Sequence, residues 1–440
     1  MTPRSYKPHH PERMLRLGRP FLRFFQIEAS GGIVLLMCAV IALILANSPF
    51  AETYIGFWNT PIGISFGKTQ LTHSLVHWIN DGLMTIFFFV VGLEIKRELV
   101  HGELKNPKVA ALPAIAALGG MIVPALIYSF ILQGNAGSQG WGIPMATDIA
   151  FVVGFLALFG KRVSNGLKIF LLSLAIVDDI GAVIVIALFY SSGISIAALS
   201  AGMAGFGLTA ALNRLGVRQI PVYVFLGVLI WLAFLLSGVH PTVAGVLLGL
   251  LTPASAWVGD ASFQDALSAA QRKWHELTGS KRKYGEVNGL ITAAKETVSP
   301  LERLEIALHP WVAFFIVPLF ALANAGVPID GSAITSQISI GVALGLFLGK
   351  PAGILIFSWL ALKLIRSRLP AGATWQSMVG ASILGGIGFT MSIFIAGLAL
   401  DGHMLVEGKA GTFVGSTISA IVGFLVLHFT LPKLPAPKSR

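Results

Sequence analysis

The sequence predicts an all-α polytopic membrane protein of about 12 transmembrane helices, and three observations predict it. Of its 440 residues 55% are hydrophobic, about 242, and only 12% are charged; a membrane helix takes about 20 mostly apolar residues, so that stock suffices for about twelve. The apolar residues are gathered into runs punctuated by turn-forming or charged residues, and the mean hydropathy is +0.79. The positive charges, finally, fall on alternate connections between the runs. Together these exclude an ordinary soluble protein, a disordered chain and a single-span anchored domain.

The elements follow in order. A basic N-terminal segment, 1–28, precedes one domain, 29–431, and a short basic tail, 432–440. Within the domain the apolar runs are 29–46, 77–91, 109–132, 143–159, 167–189, 194–212, 220–236, 241–251, 308–325, 338–362, 378–400 and 411–431. A cleaved signal peptide is an alternative reading of the first run, since Ala46 and Ala51 offer small residues, but its basic preface is too long and its apolar core too extended. Two connections are long. The one at about 49–74 has strand-like stretches, 54–58 and 62–66, around Asn59, Thr60 and Pro61, which predicts an outer β-hairpin. The other, at about 252–305, is polar with a helix-like stretch at 261–277, and otherwise reads as a solvated connector.

Charge placement sets the orientation, because cytoplasmic loops carry the excess of Lys and Arg. If the N-terminus, with Arg4, Lys7, Arg13, Arg16, Arg19 and Arg23, is cytoplasmic, every connection after an even-numbered run should be basic. Lys96, Arg97, Lys105 and Lys108 follow run 2, Lys161 and Arg162 run 4, Arg214 and Arg218 run 6, and Lys363, Arg366 and Arg368 run 10; Lys433, Lys438 and Arg440 close the tail. Of the 31 Lys and Arg residues only Lys68 and Lys409 fall on expected outer connections. Both termini are therefore expected inside. The net charge of +11 records this orientation and implies no nucleic-acid partner, which would need a cationic face on a folded soluble module. The partner it implies is the lipid bilayer. With one cysteine, Cys38, the chain cannot form an internal disulfide or a cysteine-based metal cluster, so redox work and a resident cofactor are not expected.

Ionisable groups inside membrane spans are costly, and mark function by default. Asp81, Asp148, Asp178, Asp179 and Lys350 stand out. At about 1.5 Å per residue, counting from the cytoplasmic end of each helix puts Asp148, Asp178 and Lys350 at roughly 18 to 20 Å, near the middle of a core about 30 Å thick. A static ion pair would explain one Asp and one Lys but not three Asp at one depth. Asp81, near the outer end of its run, reads either as a solvated residue or as part of an entry funnel. Oxygen ligands suit a hard cation, and Thr147 adds a hydroxyl beside Asp148. Adjacent carboxylates such as Asp178 and Asp179 cannot both ionise cheaply in a low-dielectric site, so a proton or a metal cation must compensate one of them. A site that accepts either, and is costly with neither, is the chemical core of an exchanger.

The backbone breaks in the same place. Pro144 with Met145, Ala146 and Thr147 interrupts run 4, and Gly385, Gly386, Ile387 and Gly388 interrupt run 11. Unwound backbone at membrane depth is tolerated where it lines a cavity. The glycine run lacks the Lys-Ser/Thr of a phosphate loop and lies inside an apolar span. Runs 3–5 and 10–12 have opposite topology with the broken helix in the middle of each, an inverted-repeat arrangement whose paired breaks point to a transport site.

At these residues the sequence closely resembles the NhaA family of sodium/proton antiporters, itself a type example of inverted-repeat transporters. The resemblance is carried by Val91-Gly92-Leu93-Glu94-Ile95-Lys96-Arg97-Glu98-Leu99, Ala146-Thr147-Asp148-Ile149-Ala150-Phe151 and Ala175-Ile176-Val177-Asp178-Asp179-Ile180-Gly181-Ala182. Ser237-Gly238-Val239-His240, Leu308-His309-Pro310-Trp311-Val312-Ala313, Gly349-Lys350-Pro351 and Gly386-Ile387-Gly388-Phe389-Thr390-Met391-Ser392 add to it, in order, over about residues 20 to 430. It implies electrogenic Na⁺(Li⁺)/H⁺ exchange by alternating access, sodium leaving as protons enter, in a cell inner membrane. Asp179 is then the principal cation and proton carrier, Asp178 the neighbour that pairs with Lys350 when the site is empty, and Thr147 and Asp148 part of the same site, with Asp148 and Lys350 offsetting helix-end dipoles. The resemblance also implies activation by alkaline pH through Glu94, Glu98, Arg303, Glu305 and His309, and a homodimer joined through the outer β-hairpin. Two departures touch regulation: the loop before Glu302 is longer than the family carries, and Ile306 stands where a second His is expected.

Two rivals are weaker. An intramembrane aspartyl protease would want Tyr-Asp in one span and Gly-x-Gly-Asp in the next, whereas Thr147 precedes Asp148 and Val177 stands two places before Asp179. A cation-coupled symporter of the same architecture would want an organic-solute pocket, and adjacent Asp residues plus Lys350 argue for protons instead.

Overall fold

The structure is a computed structural model and describes residues 30–66, 69–191, 193–217, 219–274, 280–328, 331–364 and 369–432. The basic segment 1–28, Lys68, Arg218, Arg366, Arg368 and the tail from Lys433 lie outside the described residues.

Uncharged apolar runs must pair their own backbone, and helix is how they do it. Helix α1 (Ser30–Ala46) bends by 120° into α2 (Ala51–Trp58). The strand expected at 54–58 is therefore helical. Tyr54 and Trp58 stand one turn apart with their rings edge to face, Trp58 is buried, and the Tyr54 hydroxyl donates to the Leu322 carbonyl; the spacing of four that resembles alternation is one helix face. The hairpin forms just after it, from β1 (Pro61–Phe66) and β2 (Thr69–Ser74), antiparallel with Pro61 opposite Ser74 and Phe66 opposite Thr69.

Helix α3 (Leu75–Val100) starts on Ser74, whose hydroxyl accepts from the His77 amide, and carries one wide π turn at Ile79–Leu83. Helix α4 (Pro107–Leu132) starts on Asn106 with proline in its first turn. A 3₁₀ segment, Ser138–Met145, then breaks into extended backbone before α5 (Ile149–Phe159). Helices α6 (Asn165–Phe189), α7 (Ile196–Arg214), α8 (Ile220–Ser237) and the shorter α9 (Pro241–Leu251) follow.

The polar connection is more ordered than the sequence suggests. The stretch expected at 261–277 is α10 (Asp260–Trp274), and a second helix, α11 (Ser280–Glu296), pairs with it. The neck is closed where the Trp257 and Val258 amides donate to the Glu296 carbonyl. Helix α11 is mostly polar, with apolar residues such as Val287 and Ile291 exposed. Helix α12 (Pro300–Asn324) opens on a capping box between Ser299 and Glu302, several residues ahead of the apolar run. Then come α13 (Gln337–Leu364), with a π turn at Gly345–Gly349, the bent pair α14 (Trp375–Gly385) and α15 (Phe389–Ala399), and α16 (Gly402–Thr430). Lys409 falls inside α16, not on a connection.

Among the described residues nine helices are long and apolar enough to cross a membrane, eleven if each bent pair is one span, and α9 is a shorter apolar helix. Helices α4 and α13 run together at backbone contact: a Cβ on Gly119 would strike the Gly353 carbonyl, and one on Gly353 the Gly119 carbonyl. Small residues let helices approach this closely where lipid supplies no hydrophobic drive for association. At the periphery α7 and α8 expose Leu208, Val224, Phe225 and Leu229, the surface a bilayer would cover.

Candidate functional site

Two interrupted stretches meet in the interior. After Met145 the chain runs extended through Ala146 to Asp148, and after α14 it is non-helical at 386–388, with a bend of 43° into α15. They are joined by backbone, the Asp148 amide donating to the Ile387 carbonyl at 2.7 Å. Gly388 is needed here: a Cβ would lie 2.9 Å from the Ala146 carbonyl and 2.8 Å from the Leu346 side chain. A helix end leaves backbone groups unpaired, and burying them requires partners.

Asp148 supplies many of those partners. Its Oδ2 accepts the Thr390 amide at 3.0 Å and the Thr390 hydroxyl at 2.5 Å, while Oδ1 accepts the Phe151 amide at 3.4 Å. One carboxylate thus caps the N-termini of both α5 and α15, where the helix dipole favours negative charge. Ser416 on α16 completes the second cap, its hydroxyl oxygen accepting from the Gly388 and Phe389 amides at 3.2 Å each. At the opposite pole, the Lys350 ammonium donates to the Met145 carbonyl, which ends the 3₁₀ segment.

Lys350 also donates to Asp178 Oδ2 at 2.5 Å, and both side chains are wholly buried. The Thr147 hydroxyl lies 2.7 Å from the same oxygen and 3.0 Å from the Gly385 carbonyl; with one proton it can donate to one of them at a time. Asp178 Oδ1 is buried without a hydrogen-bond partner among the described residues. Next along α6, Asp179 is 2% exposed. Its carboxylate has no hydrogen bond from any described residue, and the charges acting on it are those of Asp178, Glu94, Asp148 and Lys350. Oxygen donors of this kind suit a hard cation that arrives and leaves. Among the described residues no group of three His, Cys, Asp or Glu is arranged as a resident metal centre.

The structure therefore brings together Asp148, Asp178, Asp179 and Lys350, four of the five intramembrane charges that stand out in the sequence, and Thr147, the hydroxyl expected beside them; Asp81 lies elsewhere. Sequence reasoning missed Thr390, Ser416 and the Met145 and Gly385 carbonyls. Thr390 had a signal, standing at the start of the helix after a glycine break; the carbonyls had none.

Five other residues named from the sequence lie towards one end of α3 and α12, away from the crossing except for Glu94, whose charge reaches Asp179. Arg97 on α3 pairs with Glu305 on α12 and lies 3.9 Å from Glu98. Glu94 feels the charges of Glu305, Arg97 and Glu98. Arg303 Nε is buried and unpartnered among the described residues, and His309 is exposed with no ion pair to this group among the described residues. Arg97, not among the residues named for this cluster, makes its closest ion pair, with Glu305. Asp81, for which a solvated position was one reading, is instead buried in the π turn of α3 beside two histidines.

A polytopic helical domain with two crossed helix breaks, charges capping their ends and a buried pair of carboxylates beside them defines an ion-coupled membrane transporter, not an enzyme. Comparison with known proteins places it further. Residues 22–427 match the family described as Na+/H+ antiporter 1. The Na(+)/H(+) antiporter NhaA of Rhodopirellula baltica is 50% identical over 417 residues, covering 94% of this chain and 95% of that protein. The Na(+)/H(+) antiporter NhaA of Rhizobium meliloti is 48% identical over 414 residues, with 94% and 95% covered. The chain belongs to this NhaA family of Na⁺/H⁺ antiporters. A solved structure of the sodium proton antiporter MjNhaP1 from Methanocaldococcus jannaschii matches with a TM-score of 0.51 at 13% identity, over 96% of this chain and 99% of that one, which supports the fold alone.

Proposed function

We propose that the protein exports Na⁺, and Li⁺, in exchange for protons by alternating access, with Asp179 as the principal carrier. The observation that carries the reading is the contrast between adjacent carboxylates: Asp178 is tied to Lys350 and Thr147, while Asp179, equally buried, has no hydrogen-bonding partner among the described residues. A bare buried carboxylate must hold a proton or a cation. Competition for that one position couples the two flows without a separate connection. Na⁺ recruits Asp179 and the free oxygen of Asp178, with the Thr147 hydroxyl available, and Asp178 returns to Lys350 when the cation leaves. Asp148 contributes chiefly by holding the helix ends in place.

More than one acidic group can carry protons per cation, so the exchange is electrogenic. The cluster of Glu94, Glu98, Arg303, Glu305 and His309, with Arg97, sets activation by alkaline pH. The protein sits in the cell inner membrane with both termini in the cytoplasm and the β-hairpin outside, where the hairpin joins a homodimer; residues 29–431 form the single transporter domain.

The test is relief of acidification in everted membrane vesicles on adding Na⁺, Li⁺ or K⁺ across a pH series, with Asp179→Asn beside wild type. Relief by Na⁺ and Li⁺ that the variant abolishes is expected. Undiminished sodium-dependent relief in the variant would sink the assignment, and a wild type responding to K⁺ alone would overturn the ion choice.

A further inference from the structure

Where the β-hairpin meets the helices, four titratable side chains form a chain graded in exposure. His73 on β2 stacks on His77 of α3 with ring centroids 4.1 Å apart and planes within 18°. The His77 side chain is 41% exposed, yet its Nε2 is buried and lies 3.1 Å from Asp81 Oδ2, a charge contact without hydrogen-bond alignment. The other oxygen, Oδ1, lies 3.6 Å from Nε2 of His240, the N-cap residue of α9. His240 Nδ1 lies 2.6 Å from the Thr242 hydroxyl and accepts from the Thr242 amide at 3.4 Å; an accepting Nδ1 puts the neutral ring's proton on Nε2, the nitrogen on the Asp81 side. Among the described residues, the other groups shown to meet this cluster are not titratable. Trp231 of α8 donates to the Asp81 carbonyl at 3.0 Å, Asn324 of α12 bonds Asn80, and Phe394 of α15 packs edge to face on His240.

We propose that His77 and Asp81 form a proton-collecting pair on the hairpin side, with His240 holding the carboxylate in place. The imidazole takes a proton from solvent at Nδ1 and, once the ring aligns with the carboxylate, passes the one on Nε2 to Asp81 Oδ2, leaving a neutral ring protonated on Nδ1; because Nε2 is buried, the ring must turn outward to regain a proton there while Nδ1 returns its own to solvent. His240 is a positioning residue, because its Nδ1 is committed to the cap of α9. Burial, and secondarily the neighbouring His77, pushes His73 below the ordinary histidine value.

The need for such a pair is kinetic. At a diffusion-limited rate constant of about 10¹⁰ M⁻¹s⁻¹, a solution near pH 8.5 delivers about 30 protons per second to a single group. Typical turnover runs from about 1 to 1,000 per second. An exchanger working at alkaline pH is therefore close to starvation for protons, and an exposed imidazole backed by a buried carboxylate widens the target.

The inference rests on the exchange reading above, and the test separates the two. Sodium efflux from proteoliposomes would be measured in weak buffer near pH 7.5 and near pH 8.5 for wild type, His77→Ala, His77→Gln and Asp179→Asn. For both His77 variants the ratio of the rate at the higher pH to that at the lower should fall by up to about tenfold from wild type, the change in proton supply over one pH unit, and added imidazole should restore His77→Ala without accelerating wild type. Glutamine can donate to Asp81 but cannot relay a proton, so a wild-type ratio in His77→Gln would overturn the relay in favour of a structural role. Equal losses at both pH values, or a loss in His77→Ala that imidazole leaves in place, would overturn it as well. Activity in Asp179→Asn would instead overturn the exchange reading and leave the relay ratio to be judged on the His77 variants.

Discussion

The interrupted helix α5 and the continuous helix α6 each bring an aspartate to the same buried layer, and the two are treated in opposite ways. Asp148, in the break, accepts three hydrogen bonds and caps two helix ends. Asp179, within regular helix, accepts none from the described residues although it is just as buried. In α6 every local backbone donor is consumed by the helix itself, so a carboxylate there can be satisfied only by a side chain or by something that visits. In α5 the break frees donors, and the carboxylate is consumed in satisfying them. A broken helix beside an unbroken one thus separates scaffold charge from working charge, at one depth and with one residue type.

The largest effect should come from reversing which aspartate is neutralised. Asp179→Asn removes no hydrogen bond given by a described residue, so the protein should keep its thermal stability while Na⁺-dependent exchange falls at least ~100-fold, because a neutral amide can neither hold a proton nor balance Na⁺. Asp148→Asn should do the reverse in emphasis, losing about 2 kcal/mol of stability as charge-assisted bonds are replaced by weaker ones. Thermal unfolding followed by fluorescence-detected chromatography, alongside vesicle exchange, checks both. A stable Asp148→Asn paired with an unfolded Asp179→Asn would break the comparison.

Lys350→Ala comes next. It strands Asp178 in a wholly buried position, and breaking one partner of a buried pair costs about 3–5 kcal/mol. The double variant Lys350→Ala with Asp178→Asn should recover part of that loss, since the uncompensated charge goes with it, and a double-mutant cycle on thermal stability measures the coupling. Failure of the second substitution to recover anything would mean that Lys350 acts mainly through the Met145 carbonyl.

How much of this is legible in the sequence follows from what a sequence encodes. Depth is linear in residue number along a helix, so counting residues alone aligns Asp148, Asp178 and Lys350. Breaks are written in Pro144 and in Gly385 to Gly388. Direction is not written. Nothing in the order of residues says that Asp148 turns toward Thr390 or that Asp178, not Asp179, takes Lys350; only the resemblance implies the second. The π turns at Ile79–Leu83 and Gly345–Gly349 are also invisible in the sequence, although one contains Asp81 and the other ends beside Lys350. A single extra residue in a turn rotates everything beyond it, and no composition rule marks its place. The misplaced strand at 54–58 has a related cause: five residues with aromatics four apart fit a short strand and a helix face equally.

A moderate effect is expected from Thr390→Val, which keeps the shape and removes the hydroxyl bond to Asp148. The Thr390 amide still donates, so the cap persists with one bond fewer, and the loss should be about 1 kcal/mol. If Asp148 serves only as scaffold, the apparent KM for Na⁺ should stay near wild type while stability drops. A raised KM would show that Asp148 also touches the cation, and would blur the division between the two aspartates.

The smallest expected effect lies at the far end of α3, and it tests whether position alone decides a charge's role. Arg97 and Glu305 make the closest ion pair there, but the Arg97 side chain is 41% exposed, and half-exposed pairs contribute about 1 kcal/mol or less. Arg97→Gln should leave stability and maximal exchange rate close to wild type. It does remove the one cation that pairs with this group of Glu94, Glu98 and Glu305 among the described residues, so those carboxylates then share a face without compensation. The pH at which exchange switches on should move upward by a fraction of a unit to about one unit, with a shift that shrinks as salt is raised because the cluster is near solvent. An identical profile at low salt would mean that this cluster is only a solvated helix end. A salt-sensitive shift at constant maximal rate would show that charge at the rim tunes the approach to the site while charge at the crossing performs the exchange.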